Sequence, residues 1–113
     1  MLRIEAIIRP SRLDEVKNAL DELGIHGVSV IEIKGAGKQK GYTQHYRGSE
    51  YQVNLLPKVM IIVVVRDEDK DKVIDSIEAA ARTEEIGDGK IFVTQVLEAV
   101  RIRTGERGDA AIS

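Results

Sequence analysis

Leu2, Ile4, Ala6 and Ile8 alternate with Arg3, Glu5 and Ile7, the period-two pattern of a strand with one apolar face, and Pro10 ends it. Ser11 then stands where a helix N-cap would, with Asp14 and Glu15 in the first turn, where negative charge suits the positive end of the helix dipole. Leu13, Val16, Ala19, Leu20 and Leu23 follow at spacings of three and four, and Gly24 closes the helix. Val28 to Gly35 reads as a second strand. Val59 to Val65 is apolar throughout and β-branched at six of seven positions, too short for a helix and suited to a strand. Asp67 can cap a second helix whose buried stripe is Val73, Ile74, Ile77, Ala80 and Ala81. The turn Ile86–Lys90 leads into a strand from Ile91 to Val96, and Val100 to Thr104 alternates once more.

The order β, α, β, β, α, β and a short extra strand predicts an α+β fold: a ferredoxin-like βαββαβ sandwich, two helices covering one face of an antiparallel sheet. Because Met60, Ile62 and Val64 point opposite to Val59, Ile61, Val63 and Val65, the second sheet face is apolar too and needs a cover. Another copy of the chain is the economical cover, with Arg3, Glu5, Glu32 and Lys34 as a charged rim on that face. Folding of the extra strand and tail over it is the alternative. Between the second and third strands lies a polar segment carrying Gly37, Gly41 and Gly48 with Tyr42, Tyr46 and Tyr51. Too poor in aliphatic residues to bury itself, it is either padding or a functional arm. Its cationic flanks, Gly35–Gly41 and Pro57-Lys58, face each other if the strands pair, and favour the arm.

Length fits one domain over residues 1–113, able to bury roughly two-thirds of its unfolded surface. With no cysteine, disulfide frameworks and thiolate sites are excluded. Lys and Arg number 17 against 19 Asp and Glu, a balance giving no reason to expect non-specific nucleic-acid or anionic-membrane binding. No apolar run approaches the ~18 residues of a membrane span, so a cytoplasmic location is expected.

Two glycine-rich turns offer backbone N–H groups to an anion, at residues 35–41 with Lys38 and Lys40, and at 87–89 followed by Lys90. Neither is a Walker or Rossmann fingerprint, and Gly-Asp-Gly-Lys is equally an ordinary hairpin turn. Arg101 and Arg103, two apart on a predicted strand, would send two guanidinium forks from one face, an arrangement suited to a di- or triphosphate and equally to a solvated edge. Three cationic or glycine-rich elements in one small domain favour a nucleotide site more than any one does.

The strings Ile-Glu-Ala-Ile-Ile-Arg-Pro, Leu-Asp-Glu-Val-Lys, Gly-Lys-Gln-Lys-Gly, Tyr-Arg-Gly-Ser-Glu-Tyr, Leu-Pro-Lys-Val, Ala-Ala-Arg-Thr, Ile-Gly-Asp-Gly-Lys-Ile-Phe-Val and Arg-Ile-Arg-Thr-Gly-Glu run in order from residue 4 to residue 106. Together they resemble the PII nitrogen-regulatory signalling family. The resemblance implies a homotrimer with ATP or ADP competing for clefts between subunits. By matching position, Ile7, Ser29, Gly35, Gly37, Lys38, Gln39, Val64, Gly87, Asp88, Gly89, Lys90, Arg101 and Arg103 would surround the nucleotide, with Lys90, Arg101 and Arg103 as phosphate cations. Gln39 would help hold Mg²⁺, and Gln39, Lys40, Gly41, Lys58 and Gly87 would bind 2-oxoglutarate. A hard cation held by phosphates and one side-chain oxygen keeps open positions for a 2-oxo acid, so nucleotide should bind first.

The arm, about residues 37–57, then matches the family's T-loop, whose shape follows the occupant of its base. In the family its tip enters an ammonium channel or docks on nitrogen-assimilation regulators, and a channel would be the only route to the membrane. Arg47 matches the pore-blocking residue, flanked by Glu50 and Tyr51. Tyr51 also matches a tyrosine nucleotidylated in some members and Ser49 a serine phosphorylated in others, which implies a nucleotidyl-transferring enzyme or a kinase as a further partner. The chain departs from the family pattern at Lys38 for arginine, Ser29 for threonine, Met60 and Ile62 for charged residues, and Ser11 and Ala36 for phenylalanines.

A nucleotide-processing enzyme lacks an evident general base here, since His26 and His45 fall in a turn and in the arm; no enzyme activity is expected. An RNA module needs stacking aromatics on the sheet, and Phe92 is the only phenylalanine. An effector-free trimeric structural or metal-tolerance protein explains the fold but leaves the glycine turns and paired arginines idle.

Overall fold

The computed structural model describes residues 1–36 and 55–113, and the backbone of 43–46 and 49–52. The strand β1 (Leu2–Ile8) leads to helix α1 (Leu13–Glu22) and β2 (Ser29–Gly35). A two-stranded hairpin follows, β3 (Thr43–Tyr46) with β4 (Ser49–Gln52), and then β5 (Leu56–Val65), α2 (Lys70–Ala81), β6 (Lys90–Gln95) and a last short helix α3 (Asp109–Ile112). The main sheet has the order β2-β5-β1-β6 with every pairing antiparallel, the expected α+β topology. The hairpin within the arm was not expected from the sequence. No helix among the described residues is long and apolar enough to cross a membrane.

Alternation decides which face is buried. Ile4, Ala6 and Ile8 of β1 and Val59, Ile61, Val63 and Val65 of β5 are buried against Val16 and Leu20 of α1 and Val73, Ile77 and Ala81 of α2. The opposite face carries, row by row, Val64 beside Arg3 and Thr94, then Ser29, Ile62, Glu5 and Phe92, then Ile31, Met60, Ile7 and Lys90. Neither α1 nor α2 covers this second face, and Ile31 and Phe92 stay 47% and 49% exposed. The register corrects the charged rim: Glu32 pairs with Val59 and Lys34 with Pro57, so both belong to the helix-covered side, opposite to Arg3 and Glu5.

The helix ends show where local signals hold. Gly24 at φ 79° ends α1, its N–H bonded to the Asp21 carbonyl at 2.9 Å while the Ile25 N–H reaches Leu20 at 3.0 Å, the paired bonds of a left-handed glycine stop. The helix starts differ from expectation. Neither Ser11 nor Asp67 makes a side-chain capping bond, because each helix is entered through a 3-10 turn, Pro10–Arg12 or Asp67–Asp69, whose backbone bonds stand in for the cap. Asp67 instead accepts a bond from the Met1 ammonium at 2.8 Å.

The extra strand expected at Val100–Thr104 reduces to one bridge, Val100 to Arg107. Gly105, at φ 74°, bonds the Arg101 carbonyl at 2.7 Å and turns the chain back, and Ile102 is 99% exposed. The alternation was real, but among the described residues no neighbouring strand pairs with it. Arg101 and Arg103 are therefore turn residues, not two steps along a strand face.

Candidate functional site

The turn between α2 and β6 is built by one carboxylate. Asp88 Oδ2 accepts the backbone N–H groups of Thr83 at 2.7 Å and Glu84 at 2.9 Å, and Oδ1 accepts the Thr83 hydroxyl and Arg9 Nε, the latter at 2.9 Å. These bonds, that from Thr83 foremost, hold the Asp88 carboxyl far below the usual carboxylate range. They also hold Glu84 at φ 68°, a backbone conformation that is costly for a residue with a Cβ. Asp88 was expected among the nucleotide contacts; its side chain here organises the turn.

Two glycines then let the turn lie against the sheet. Gly87 and Gly89 have φ values of 106° and 100°. A Cβ on Gly89 would sit 1.7 Å from the carbonyl oxygen of Ile7, so only glycine permits this approach to β1. Lys90 follows opposite Ile7 and starts β6 on the uncovered face.

From the neighbouring strand, Lys58 Nζ donates to the Gly87 carbonyl at 2.6 Å. Burial, and then the positive charge of Arg9, push the Lys58 ammonium below the usual lysine value, with Asp88 acting against them. Opposite Ile33 in register, Lys58 is also in contact range of Gly35, where an added Cβ would meet its Cγ at 3.3 Å. One end of the sheet thus gathers Ile7, Gly35, Lys58, Gly87, Gly89 and Lys90. Gly37, Lys38, Gln39, Lys40, Gly41 and Arg47 lie outside the described residues; Ser49, Glu50 and Tyr51 lie on β4, of which only the strand is described.

The remaining candidates lie at the other end. Lys90 is opposite Ile7 and Gln95 opposite Leu2, five residues along β6 and about 17 Å away. Beyond it the Val96 N–H bonds the Met1 carbonyl at 3.0 Å, and the chain continues to Arg101 and Arg103. Arg101 donates to Glu106 Oε1 and to the Ser113 carbonyl, each at 2.8 Å. Ser29 and Val64 line a cleft of about 750 Å³ with Ile62 and the C-terminal residues Asp109, Ala111, Ile112 and Ser113. The tail thus reaches one end of the uncovered face. Within one chain, the glycine turn and the two arginines therefore lie at opposite ends of the sheet.

Sequence reasoning missed Arg9 and Thr83, which hold the turn. The Arg9-Pro10 pair carried a usable signal, since a proline confines the residue before it to extended backbone, and Arg9 has φ −65° and ψ 139°. Among the described residues no group of three His, Cys, Asp or Glu is placed to hold a metal ion.

The family model described as nitrogen regulatory protein P-II matches residues 1–106. The nitrogen regulatory protein P-II of Rhodobacter capsulatus is 60% identical over 112 residues, covering 99% of this chain and 100% of the relative. The protein of the same description from Azospirillum brasilense has the same identity and coverage. Nitrogen regulatory protein P-II 2 of Methanothermobacter thermautotrophicus is 54% identical, covering 99% of this chain and 97% of the relative. Among solved structures, that of Arabidopsis thaliana PII bound to citrate matches with a TM-score of 0.80 and 40% identity, covering 98% of this chain and 88% of that one. A match across nearly the whole chain, at this identity and on this fold, means that the chain belongs to the nitrogen regulatory protein P-II family.

Proposed function

We propose that this protein is a non-enzymatic signalling subunit that binds ATP or ADP and, with Mg-ATP, 2-oxoglutarate, in clefts between the copies of a homotrimer. The observation that carries the reading is the division of the cationic candidates into two half-sites at opposite ends of an uncovered sheet face. A second copy on that face covers Met60, Ile62 and Ile31 and offers its Arg101 and Arg103 to the first copy's glycine turn.

The residues fit a nucleotide. Gly87 and Gly89 bring backbone close enough for phosphate oxygens, Lys90 supplies a flexible point charge, and Arg103, exposed, supplies a fork. Mg²⁺, when bound, neutralises phosphate charge, and Gln39 is the side chain that would share in holding it. Lys58, held back from full hydration at the base of the arm, is the cation this reading gives to a carboxylate of 2-oxoglutarate. That a PII relative binds citrate, another polycarboxylate, supports this choice of ligand.

The output is the T-loop. Different affinities of each effector for two loop states would bias its tip, with Arg47, Ser49, Glu50 and Tyr51, toward or away from an ammonium channel or a nitrogen-assimilation regulator. Arg103→Ala should weaken both ATP and ADP while the trimer persists, read by calorimetry and sedimentation. Unchanged ATP affinity would remove Arg103 from the site.

A further inference from the structure

We propose that Arg9 is a positioning residue for the nucleotide site, bracing the phosphate turn against β1 without touching ligand. The inference rests on the nucleotide reading above. Arg9 Nε donates to Asp88 Oδ1 at 2.9 Å and Nη2 donates to the Ile86 carbonyl at 2.8 Å, so one guanidinium holds the turn by a side chain and by its backbone. The pair is 20% and 22% exposed, sheltered enough for charge-assisted bonds to keep much of their strength.

The brace has a definite origin and a definite load. Pro10 fixes the direction in which Arg9 leaves β1, and the two bonds return that side chain to a turn 77 and 79 residues along the chain. The load is the close approach of Gly89 to Ile7. The Asp88 bonds to the Thr83 and Glu84 amides shape the turn internally, whereas the Arg9 bonds tie it to the sheet. Without Arg9 the turn keeps its shape and loses its fixed place beside Lys58 and Lys90. Ligand groups that reach the turn should suffer, and those that do not should be spared.

Calorimetry of ATP and of AMP on wild type, Arg9→Gln, Arg9→Lys and Asp88→Asn tests this, with assembly checked by sedimentation. Arg9→Gln is expected to bind ATP about tenfold more weakly, the equivalent of one charge-assisted hydrogen bond, with AMP nearly unchanged, so the ratio of the two affinities shrinks. Arg9→Lys should recover part of the ratio, because an ammonium reaches the carboxylate or the carbonyl but does not fork to both. Asp88→Asn should also weaken ATP, although removing a negative charge would by simple electrostatics strengthen it. A wild-type ratio in Arg9→Gln, or ATP bound by Asp88→Asn as tightly as by wild type, overturns the brace. Failure of the wild-type protein to bind ATP overturns the nucleotide reading and the brace with it.

Discussion

Gly89→Ala is expected to cost the fold about 3 kcal/mol and to abolish ATP binding, read as a lowered urea midpoint and a flat titration. Two penalties coincide there. A φ of 100° is unfavourable for any residue with a Cβ, and the new methyl group would lie 1.7 Å from the Ile7 oxygen and 2.7 Å from its carbonyl carbon. These are backbone atoms of a central strand. They cannot yield without breaking the Ile7–Lys90 pairing that begins β6. Gly24 is the built-in comparison, with φ 79° and nothing within 4 Å of an added Cβ. Gly24→Ala should therefore cost only about 1 kcal/mol of left-handed backbone strain and leave ATP binding intact. Similar losses for the two variants would mean that close approach to β1 is unimportant.

The second large effect concerns order of binding: 2-oxoglutarate should bind tightly only after Mg-ATP. Lys58 already has a partner in the Gly87 carbonyl, and its neighbour Arg9 is committed to Asp88. A dicarboxylate arriving alone meets one engaged ammonium and competes with water for it. With nucleotide in place, a bound Mg²⁺ would offer open coordination positions to the 2-oxo acid. Calorimetry should give at least a tenfold gain in 2-oxoglutarate affinity on adding Mg-ATP, in the usual range of allosteric coupling. Equal binding with and without Mg-ATP contradicts the coupling.

What the sequence made legible was whatever depends on near neighbours. Alternation along Leu2–Ile8 and the four-residue spacing of Val73, Ile77 and Ala81 gave the buried face of each element, and Gly24 gave the end of α1. Reasoning went astray where a remote partner decides. Val100 to Thr104 alternates like a strand, yet pairing requires a neighbour, and among the described residues its one bridge is Val100 to Arg107. Glu32 and Lys34 changed face because register, set by pairing to β5, is invisible in β2 alone. The role of Asp88 in building its turn was equally invisible, because its partners Arg9 and Thr83 are supplied by other parts of the chain. The glycines and lysines of the site were legible as residue types. The separation of the glycine turn from Arg101 and Arg103, at opposite ends of the sheet, was not, since it follows from which end each segment reaches.

The proposed division of the nucleotide site into two half-sites is the central claim, and mixed assemblies test it most directly. Lys90→Ala and Arg103→Ala each damage every seam of a homotrimer, one from either side. In trimers containing both variants, one seam joins an intact Lys90 to an intact Arg103. Mixing the two variant proteins by refolding together should restore tight ATP binding at one site per mixed trimer. If the mixture binds ATP no better than its two components, the half-sites do not meet across copies and the account is wrong.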